Sequence, residues 1–419
     1  MPLTDIHEFL DDEKPNAEQM NSVRTALIQA FLGNITSADL SWPLIAQGTL
    51  DMNNNPIINV ASLGGEIHVN ESKSLIEAVA DANAAGGGTI VIDPGFEATS
   101  ASGVNLSADG ITIRGGGDTS KITASDGVVT AIKISGSDCH IENLRVDMPS
   151  FPSTLVSAIA VEGAATVANT SVENVHFNGG NITALRLGGS SDATICRVSG
   201  CLFESVGVGV VIQNADDVTI EGNSFRTCVD AHIQLGSTSS VQCKKVTIAG
   251  NVLNASVGIA DQCIKSGINS LTAHHEDIAI SGNIMDSGTV SPLELDYFPD
   301  CVLTGNSIRG ATALDNCSDM QLTGNNFIGA TSSVSVSASS NISFASNRFH
   351  GIVVISGGSV NSDIKFNGNE FALDFTIGTD IGVPQFVNNH LRADLTGYGA
   401  KSDTDFVVYG LNLIDGSIS

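Results

Sequence analysis

The phrase IEGNSF at residues 220–225 returns along most of the chain. Close copies are IAGNVL (248–253), ISGNIM (280–285), LTGNSI (303–308), LTGNNF (322–327), FASNRF (344–349), FNGNEF (366–371) and FVNNHL (386–391). Looser copies precede it at IENLRV (141–146), VENVHF (172–177) and VSGCLF (198–203). Consecutive copies start 19 to 32 residues apart, a spacing that is typical of solenoid proteins.

Three columns of this repeat have uniform chemistry. The first and sixth positions of the phrase are apolar in all eleven copies. The fourth position, which we call the anchor, is Asn in the last eight copies: Asn223, Asn251, Asn283, Asn306, Asn325, Asn347, Asn369 and Asn389. Stacked Asn amides can hydrogen-bond from one coil to the next. The pattern predicts an all-β fold, a right-handed single-stranded parallel β-helix, with the eight Asn in one line parallel to its axis.

Composition narrows the classes of function. The chain has 45 acidic and 18 basic residues, a net charge of −27, which disfavours nucleic acid and anionic membranes as partners. A hydrophobic fraction of 42% with only 15% charged residues indicates a folded core. The sequence contains no run of about 18 apolar residues, so no membrane-spanning helix is predicted. The acidic N-terminus does not resemble a signal peptide, and the eight Cys, without CxxC spacing, are predicted to be small buried residues of a protein made in a reducing cytoplasm.

No cofactor and no metal site are predicted. The cluster His274-His275-Glu276-Asp277 contains metal-ligating residue types. Adjacent side chains on an extended segment diverge, however, and no third ligand group is spaced to join them. Calcium loops of the DxDxDG and GGxGxDxUx types are also missing from the sequence.

The N-terminal region, residues 1–48, has a different pattern. Asn16 and Gln19 form a potential capping box, and the residues that follow place an apolar stripe on one face of a helix: Met20, Val23, Leu27 and Phe31. A single amphipathic helix must pack on something. It either docks on its own chain or serves as an attachment or trimer-bundling element, and we predict a short helical attachment region.

Residues 48–65, GTLDMNNNPIINVASLGG, resemble a phrase found near the N-terminus of tailed-bacteriophage tailspikes and tail fibres. The matching positions are Leu50, Met52, Ile57, Asn59, Val60 and Ala61. The resemblance implies a homotrimer that attaches to phage tail or baseplate proteins, recognises host surface glycan, and is assembled in the host cytoplasm before it joins the virion. It assigns residues 49–73 to a connector.

Residues 74–95, SLIEAVADANAAGGGTIVIDPG, resemble the opening of pectate-lyase-like β-helix proteins. In that family a short helix covers the end of the rod and leads through glycines into the first strand, and here Ser74 and Glu77 form a capping box for such a helix. The resemblance implies a β-helix over residues 74–391 and leaves 392–419 as a short C-terminal segment. It carries little information about chemistry.

Candidate site residues come from the strand that precedes each phrase. With every second side chain directed inward, the outward column is predicted to read Arg186, Val211, Gln234, Lys265, Glu294 and Asp315. Carboxylates stacked at strand spacing suit glycoside hydrolysis, so the predicted catalytic residues are Glu294, Asp296 and Asp315. The predicted substrate-binding residues are Asp230, His232, Asp261, Lys265 and Tyr297, the last as a ring that could stack on a sugar.

Several alternatives remain open from sequence alone. The same acids would form a solvated charge ladder in any strongly acidic chain, and Lys265 with Glu294 would be an ordinary surface ion pair. For the whole protein, the leading prediction is a phage tailspike or tail-fibre subunit that recognises host polysaccharide, with degradation of that polysaccharide as an open alternative. The alternatives are a β-helix polysaccharide lyase or hydrolase unrelated to phage, and an inert structural or adaptor protein of a virion.

Overall fold

In the computed structural model the chain winds as a right-handed parallel β-helix, so the predicted all-β fold is confirmed. The residues described are 66–149, 156–189, 192–236, 242–254, 262–266, 275–287, 291–329, 332–356, 362–373, 375–377, 384–392, 395–396, 407–409 and 413–414. The predicted N-terminal helix and the phrase at 50–61 lie outside these residues. A typical coil contributes one strand to each of three faces. We number the faces in the order in which the chain passes through them, starting with the face that precedes the anchor.

Face 1 precedes the anchor in each coil. Its strands pair in parallel with the equivalent strands of the neighbouring coils. They are β1 (Ile67–Val69), β2 (Gly88–Ile92), β5 (Ile111–Ala124), β7 (His140–Asp147), β9 (Val167–Glu173), β12 (Ala193–Ser199), β15 (Ala215–Glu221), β18 (Cys243–Ala249), β21 (Glu276–Ser281), β24 (Cys301–Thr304), β27 (Gln321–Thr323), β30 (Ser343–Ala345), β33 (Lys365–Asn367), β36 (Gln385–Val387) and β39 (Val407–Tyr409).

Face 2 follows the anchor and consists of short strands that belong to the same 27-stranded sheet as face 1. The second halves of β5 and β7 also run along this face. Its other strands are β3 (Glu97–Ser100), β10 (His176–Asn178), β13 (Leu202–Glu204), β16 (Ser224–Arg226), β19 (Val252–Asn254), β22 (Ile284–Asp286), β25 (Ser307–Arg309), β28 (Asn326–Ile328), β31 (Arg348–Phe349), β34 (Glu370–Phe371), β37 (His390–Leu391) and β40 (Leu413–Ile414).

Face 3 completes each coil and forms a separate 13-stranded parallel sheet. This face carries the predicted site. Its strands are β4 (Val104–Leu106), β6 (Thr130–Ile134), β8 (Ser157–Val161), β11 (Thr183–Leu187), β14 (Val208–Ile212), β17 (Ala231–Leu235), β20 (Gln262–Ser266), β23 (Leu293–Asp296), β26 (Thr312–Asp315), β29 (Ser332–Ser337), β32 (Ile352–Ile355), β35 (Phe375–Ile377) and β38 (Leu395–Thr396).

Helix α1 (Leu75–Ala85) packs against the first strands of the rod. The predicted capping box is present: the Ser74 hydroxyl accepts a hydrogen bond from the Glu77 backbone N–H, and the Glu77 carboxylate accepts one from the Ser74 N–H at 2.9 Å. The helix ends at Gly86, whose φ of +78° is the left-handed conformation of a helix C-terminus. No helix among the described residues is long and apolar enough to cross a membrane.

The predicted Asn line is confirmed and is fully buried. The Asn223 side-chain amide donates to the Asn251 Oδ1 at 3.0 Å and to the Val198 carbonyl at 3.0 Å, while the Asn223 backbone N–H donates to the same Oδ1 at 2.9 Å. The same set of bonds links consecutive Asn as far as Asn389. The ladder therefore gives hydrogen-bond partners to the buried polar groups of the corner in the coils from Asn223 to Asn389.

The core consists of apolar columns that stack from coil to coil. Phe203 lies 4.9 Å from Phe177 and 4.5 Å from Phe225, measured between ring centroids, with the rings nearly parallel. A second stack begins at Phe327, and a third joins Phe344 to Phe386. All eight cysteines are buried thiols, as predicted, and burial raises the pKa of Cys196 to about 12, so its thiol is unreactive.

Candidate functional site

Strand register on face 3 brings most of the predicted residues together. Val211, Gln234, Lys265 and Glu294 follow one another in register, as predicted, although Val211 is buried in a small apolar cluster with Val208 and Ala231. We call Asp230, Lys265, Glu294, Asp296 and Asp315 the face 3 cluster. Its members stand on, or directly before, four consecutive strands of this sheet.

The position of Asp315 differs from the prediction by two residues. Glu294 pairs with Ala313, whereas Asp315 pairs with Asp296. The reason lies in the core: β23 supplies two buried leucines, but β26 supplies only Leu314, and the sheet matches it with Leu295. A buried threonine takes the place opposite the other leucine. The two aspartates are therefore direct neighbours on adjacent strands, about 4.8 Å apart at the backbone.

Lys265 and Glu294 also have other partners than the surface ion pair between them that the sequence suggested. The Lys265 Nζ donates to Asp230 Oδ1 at 2.6 Å, and this lysine side chain is only 16% exposed. The Glu294 carboxylate accepts a hydrogen bond from the Gln262 side-chain amide and is solvent-exposed. Each exposed acid in this part of the cluster is thus held by a donor from a neighbouring strand or corner.

The two aspartates have different surroundings. Asp296 is half-buried and its Oδ1 accepts a hydrogen bond from the Asn316 side chain at 3.1 Å. Its burial, with the negative charges of Asp315 and Glu294 adding to the effect, raises the pKa of Asp296, and the Asn316 bond opposes this only in part. Asp315 accepts a hydrogen bond from the Ser337 hydroxyl. Two neighbouring carboxyls in unlike environments are suited to an acid and a base.

His232 does not belong to this surface, so that prediction is wrong. It is completely buried, its ring centroid lies 5.7 Å from that of Phe225, and burial lowers its pKa to about 3. The cause is a break in alternation, because His232 and Ile233 both face the interior. Cys263 and Ile264 show the same double inward step one coil later. A period of two predicts only one inward residue at this point.

The remaining predicted residues lie at the margin of the face 3 cluster or outside the described residues. Tyr297 directly follows Asp296, is half-buried, and has a φ of +59°, which ends β23 in a left-handed corner. Its backbone N–H donates to the Asp315 carbonyl at 3.1 Å. Asp261 lies outside the described residues.

The histidine-rich segment splits between the inside and the outside of the rod. His275 is buried, its Nδ1 accepts from the Cys243 N–H at 3.2 Å, and its Nε2 lies 3.1 Å from the Leu235 carbonyl. Asp277 is exposed on face 1, and His274 is outside the described residues. Among the residues described, no group of three or more ligating side chains could hold a metal ion.

A groove on the outer surface of face 1 was not predicted from the sequence. It has a volume of about 500 Å³ and crosses the outer surface of β5, β7, β9, β12 and β15. The extended backbone bends there at one residue with a positive φ in each coil, which precedes β7 and lies within β9, β12 and β15. That residue lies six positions before the anchor in every coil from 138 to 363 and is usually Asp or Asn. This fixed offset is the sequence signal that could have located the bend.

Fold and sites together define a class, the right-handed parallel β-helix proteins with an open polar face. No protein-family model matches the sequence, and no curated protein does. Solved structures do match. The catalytic unit of a GH87 alpha-1,3-glucanase from Streptomyces thermodiastaticus is 14% identical with a TM-score of 0.50, over 85% of this chain and 70% of that chain.

Two further solved structures show the range of proteins with a similar course of the chain. The A-module of the Azotobacter vinelandii mannuronan C-5 epimerase AlgE6 is 14% identical with a TM-score of 0.47, over 82% of this chain and 93% of that chain. Tailspike protein 3 of bacteriophage CBA120 is 12% identical with a TM-score of 0.46, over 96% of this chain and 69% of that chain. At such identities the similarity concerns the fold alone.

Proposed function

We propose that this protein is a tailspike or tail-fibre subunit of a bacteriophage and that it binds host cell-surface polysaccharide on face 3. The observation that carries the proposal is the register of the face 3 cluster, which aligns Lys265, Glu294, Asp296 and Asp315 on three adjacent strands. Polar groups repeated at strand spacing offer a polymer of sugars a series of hydrogen-bonding partners along the rod axis.

The assignment to a virion rests on the sequence phrase at residues 50–61. In this proposal residues 1–73 join the protein to the phage tail or baseplate, three copies associate as a homotrimer, and assembly takes place in the host cytoplasm. The alternatives, a polysaccharide lyase or hydrolase unrelated to phage and an inert virion adaptor, share the fold but differ in attachment or in binding. Purified particles that contain the chain would exclude the first, and saccharide binding would exclude the second.

The charge of the cluster indicates what kind of glycan it would accept. Four of its five members are acidic, and the single lysine is already paired with Asp230. A polyanionic saccharide would be repelled by these carboxylates and by a chain whose net charge is −27. The glycan that fits is therefore neutral or carries amino groups.

The aspartate pair favours hydrolysis as a second activity at the same place. Asp296, with its raised pKa, would give its proton to the glycosidic oxygen as the bond to the anomeric carbon breaks. Asp315, as the carboxylate, would attack that carbon, and water would later release the sugar. Strands about 4.8 Å apart match the carboxyl separation of about 5 Å used in this retaining chemistry better than the about 6.5–9.5 Å of inverting enzymes.

The test uses the full-length protein and envelope polysaccharides from a panel of bacteria, with binding and the release of reducing ends measured separately. We expect wild type to bind a neutral or amino-sugar polysaccharide and to release reducing ends from it. Asp315→Asn should retain binding and lose release. Asp319→Asn, the same change at an exposed acid on face 1, should behave as wild type.

Three results would contradict parts of this proposal. Failure to bind any polysaccharide would contradict recognition. Binding with no release by wild type would remove the hydrolytic activity and leave recognition. Release that survives in Asp315→Asn would move catalysis to another site.

A further inference from the structure

The bend in face 1 is a column of residues in the left-handed conformation, one in each of ten consecutive coils. Eight of the ten are Asp or Asn, residue types that accept this conformation more readily than most. All ten are exposed. The column consists of Asp138, Asn169, Ile195, Asp217, Lys245, Asp277, Asp300, Asp319, Asn341 and Asp363.

Lys245 and Ile195 are the two exceptions in this column, and Ile195 is the only β-branched residue in it. The φ of Ile195 is +52°, a conformation that a β-branched side chain strongly disfavours. Ile195 is 56% exposed, so burial in the core does not compensate for this strain. A strained residue at an exposed position that would accept Asn more easily points to a role outside folding. What Ile195 offers that Asn does not is an apolar surface.

Ile195 lines the groove on face 1, on the fourth of its five strands. The five strands that form the groove span about 19 Å, which is the length of a short oligosaccharide and more than one sugar ring needs. The volume of about 500 Å³ falls in the range of sites for small molecules. The groove lies on the sheet that does not contain the face 3 cluster.

The lining of the groove is polar and carries both signs of charge. His140 Nδ1 lies 2.8 Å from the Ser171 hydroxyl, and Arg197, at the next position of the same column, pairs with Glu221. Further hydroxyls come from Thr112 and Thr219 on either side. The acids of the lining, Glu142, Glu173 and Asp217, outnumber its one arginine, so the groove repels an anion and favours a neutral ligand with many hydroxyl groups.

We propose that this groove is a second saccharide-binding site, for a short neutral oligosaccharide, which packs one sugar face on Ile195 and hydrogen-bonds to His140, Ser171 and Arg197. Apolar C–H faces of sugar rings need an apolar partner, and on this surface Ile195 takes the part that aromatic rings often play. The site is separate from the face 3 cluster and does not depend on the function proposed for it. A rod with two saccharide sites on different faces would hold a glycan more firmly than either site alone.

The test compares Ile195→Asn with Asp300→Asn, a change to the same residue type four coils away in the same column and outside the groove. Both are made in a chain that also carries Asp296→Asn and Asp315→Asn, so that face 3 does not contribute. Binding to an array of neutral tri- to hexasaccharides is followed by calorimetry on each saccharide retained, and the Tm and the oligomer mass are recorded. A third variant, Arg197→Gln, probes a polar partner.

We expect the parent and Asp300→Asn to bind the same saccharide, and Ile195→Asn to bind it at least tenfold more weakly with an equal or higher Tm. Arg197→Gln should also weaken binding. Unchanged affinity in Ile195→Asn, or no binding by the parent to any saccharide of the array, would overturn the proposal. A fall in Tm would assign Ile195 to folding, and a change of oligomer mass would assign it to a contact between copies; either result overturns the proposal as well.

Discussion

The anchor corner between faces 1 and 2 and the outer surface of face 3 are built on opposite rules. At the corner eight consecutive coils repeat the same Asn, a residue with a positive φ directly before it, and the same buried hydrogen bonds. On face 3 the outward column changes from Val211 through Lys265 to Glu294 within a few coils. Repetition marks the part of the rod that holds coils together, and departure from it is the basis of the binding site that we propose on face 3.

The largest expected effect is at the corner. Asn369→Ala removes an acceptor of two hydrogen bonds from Asn347 and a donor to the Phe344 carbonyl, and leaves these groups buried. We expect a loss of about 3–5 kcal/mol in the free energy of unfolding, because several buried polar groups lose partners at once. Asn367→Ala, an exposed position two residues earlier, is the control and should change stability by less than about 0.5 kcal/mol. Urea denaturation measures both, and equal losses would show that the ladder is not what stabilises the corner.

The interior of face 3 should respond to acid through His232. Its pKa is about 3 in the folded protein and about 6.5 in the unfolded chain, so below pH 6.5 the unfolded state binds the extra proton. Stability from this group is complete above pH 6.5 and is lost as the pH falls towards 3, by an amount on the order of 4 kcal/mol. His232→Leu should flatten the profile of unfolding free energy against pH, whereas His350→Leu should not. A profile that stays steep in His232→Leu would place the acid sensitivity elsewhere.

The outer surface of face 3 should affect activity far more than stability. Asp296→Asn cannot give up a proton, so we expect saccharide release to fall at least about 10²-fold. In wild type the rate should fall as the pH rises through the raised pKa of Asp296, because only its protonated form is the acid. The same raised pKa means that ionised Asp296 destabilises the fold, so Asp296→Asn should be as stable as wild type or slightly more stable near pH 7. If Asp296→Asn released saccharide normally but unfolded more easily, the outer surface of face 3 would serve stability, as the anchor corner does, and not activity.

The smallest effect should come from the ion pair at the edge of the face 3 cluster. Lys265→Gln removes the 2.6 Å contact with Asp230, in which the aspartate is 59% exposed. We expect a loss of at most about 1 kcal/mol, decreasing as salt is added, since exposed ion pairs contribute little. Thermal unfolding at low and high ionic strength measures the change. A loss that does not depend on salt would indicate that packing of the lysine stem, rather than charge, is responsible.

The arrangement of faces 1 and 2 could be predicted from the sequence. Stacked coils must bury equivalent positions, so the apolar columns and the Asn anchors in the sequence determine the register of faces 1 and 2. The left-handed column was equally readable in principle, because its members lie six positions before each anchor. Local pattern and global arrangement agree there, since one coil is a copy of the next.

Only the tertiary structure decided the arrangement on face 3. Leu314 could pair with either of two buried leucines, Leu293 or Leu295. Packing in the interior favours Leu295, and the pattern of outward residues does not reveal this preference. The pairing with Leu295 places Asp315 beside Asp296. The inward turn of His232 likewise depends on two consecutive interior positions that break the alternation of a strand. Hydrophobic pattern specifies which side chains are buried, but where two registers bury equal apolar surface, only packing against the neighbouring coils distinguishes them.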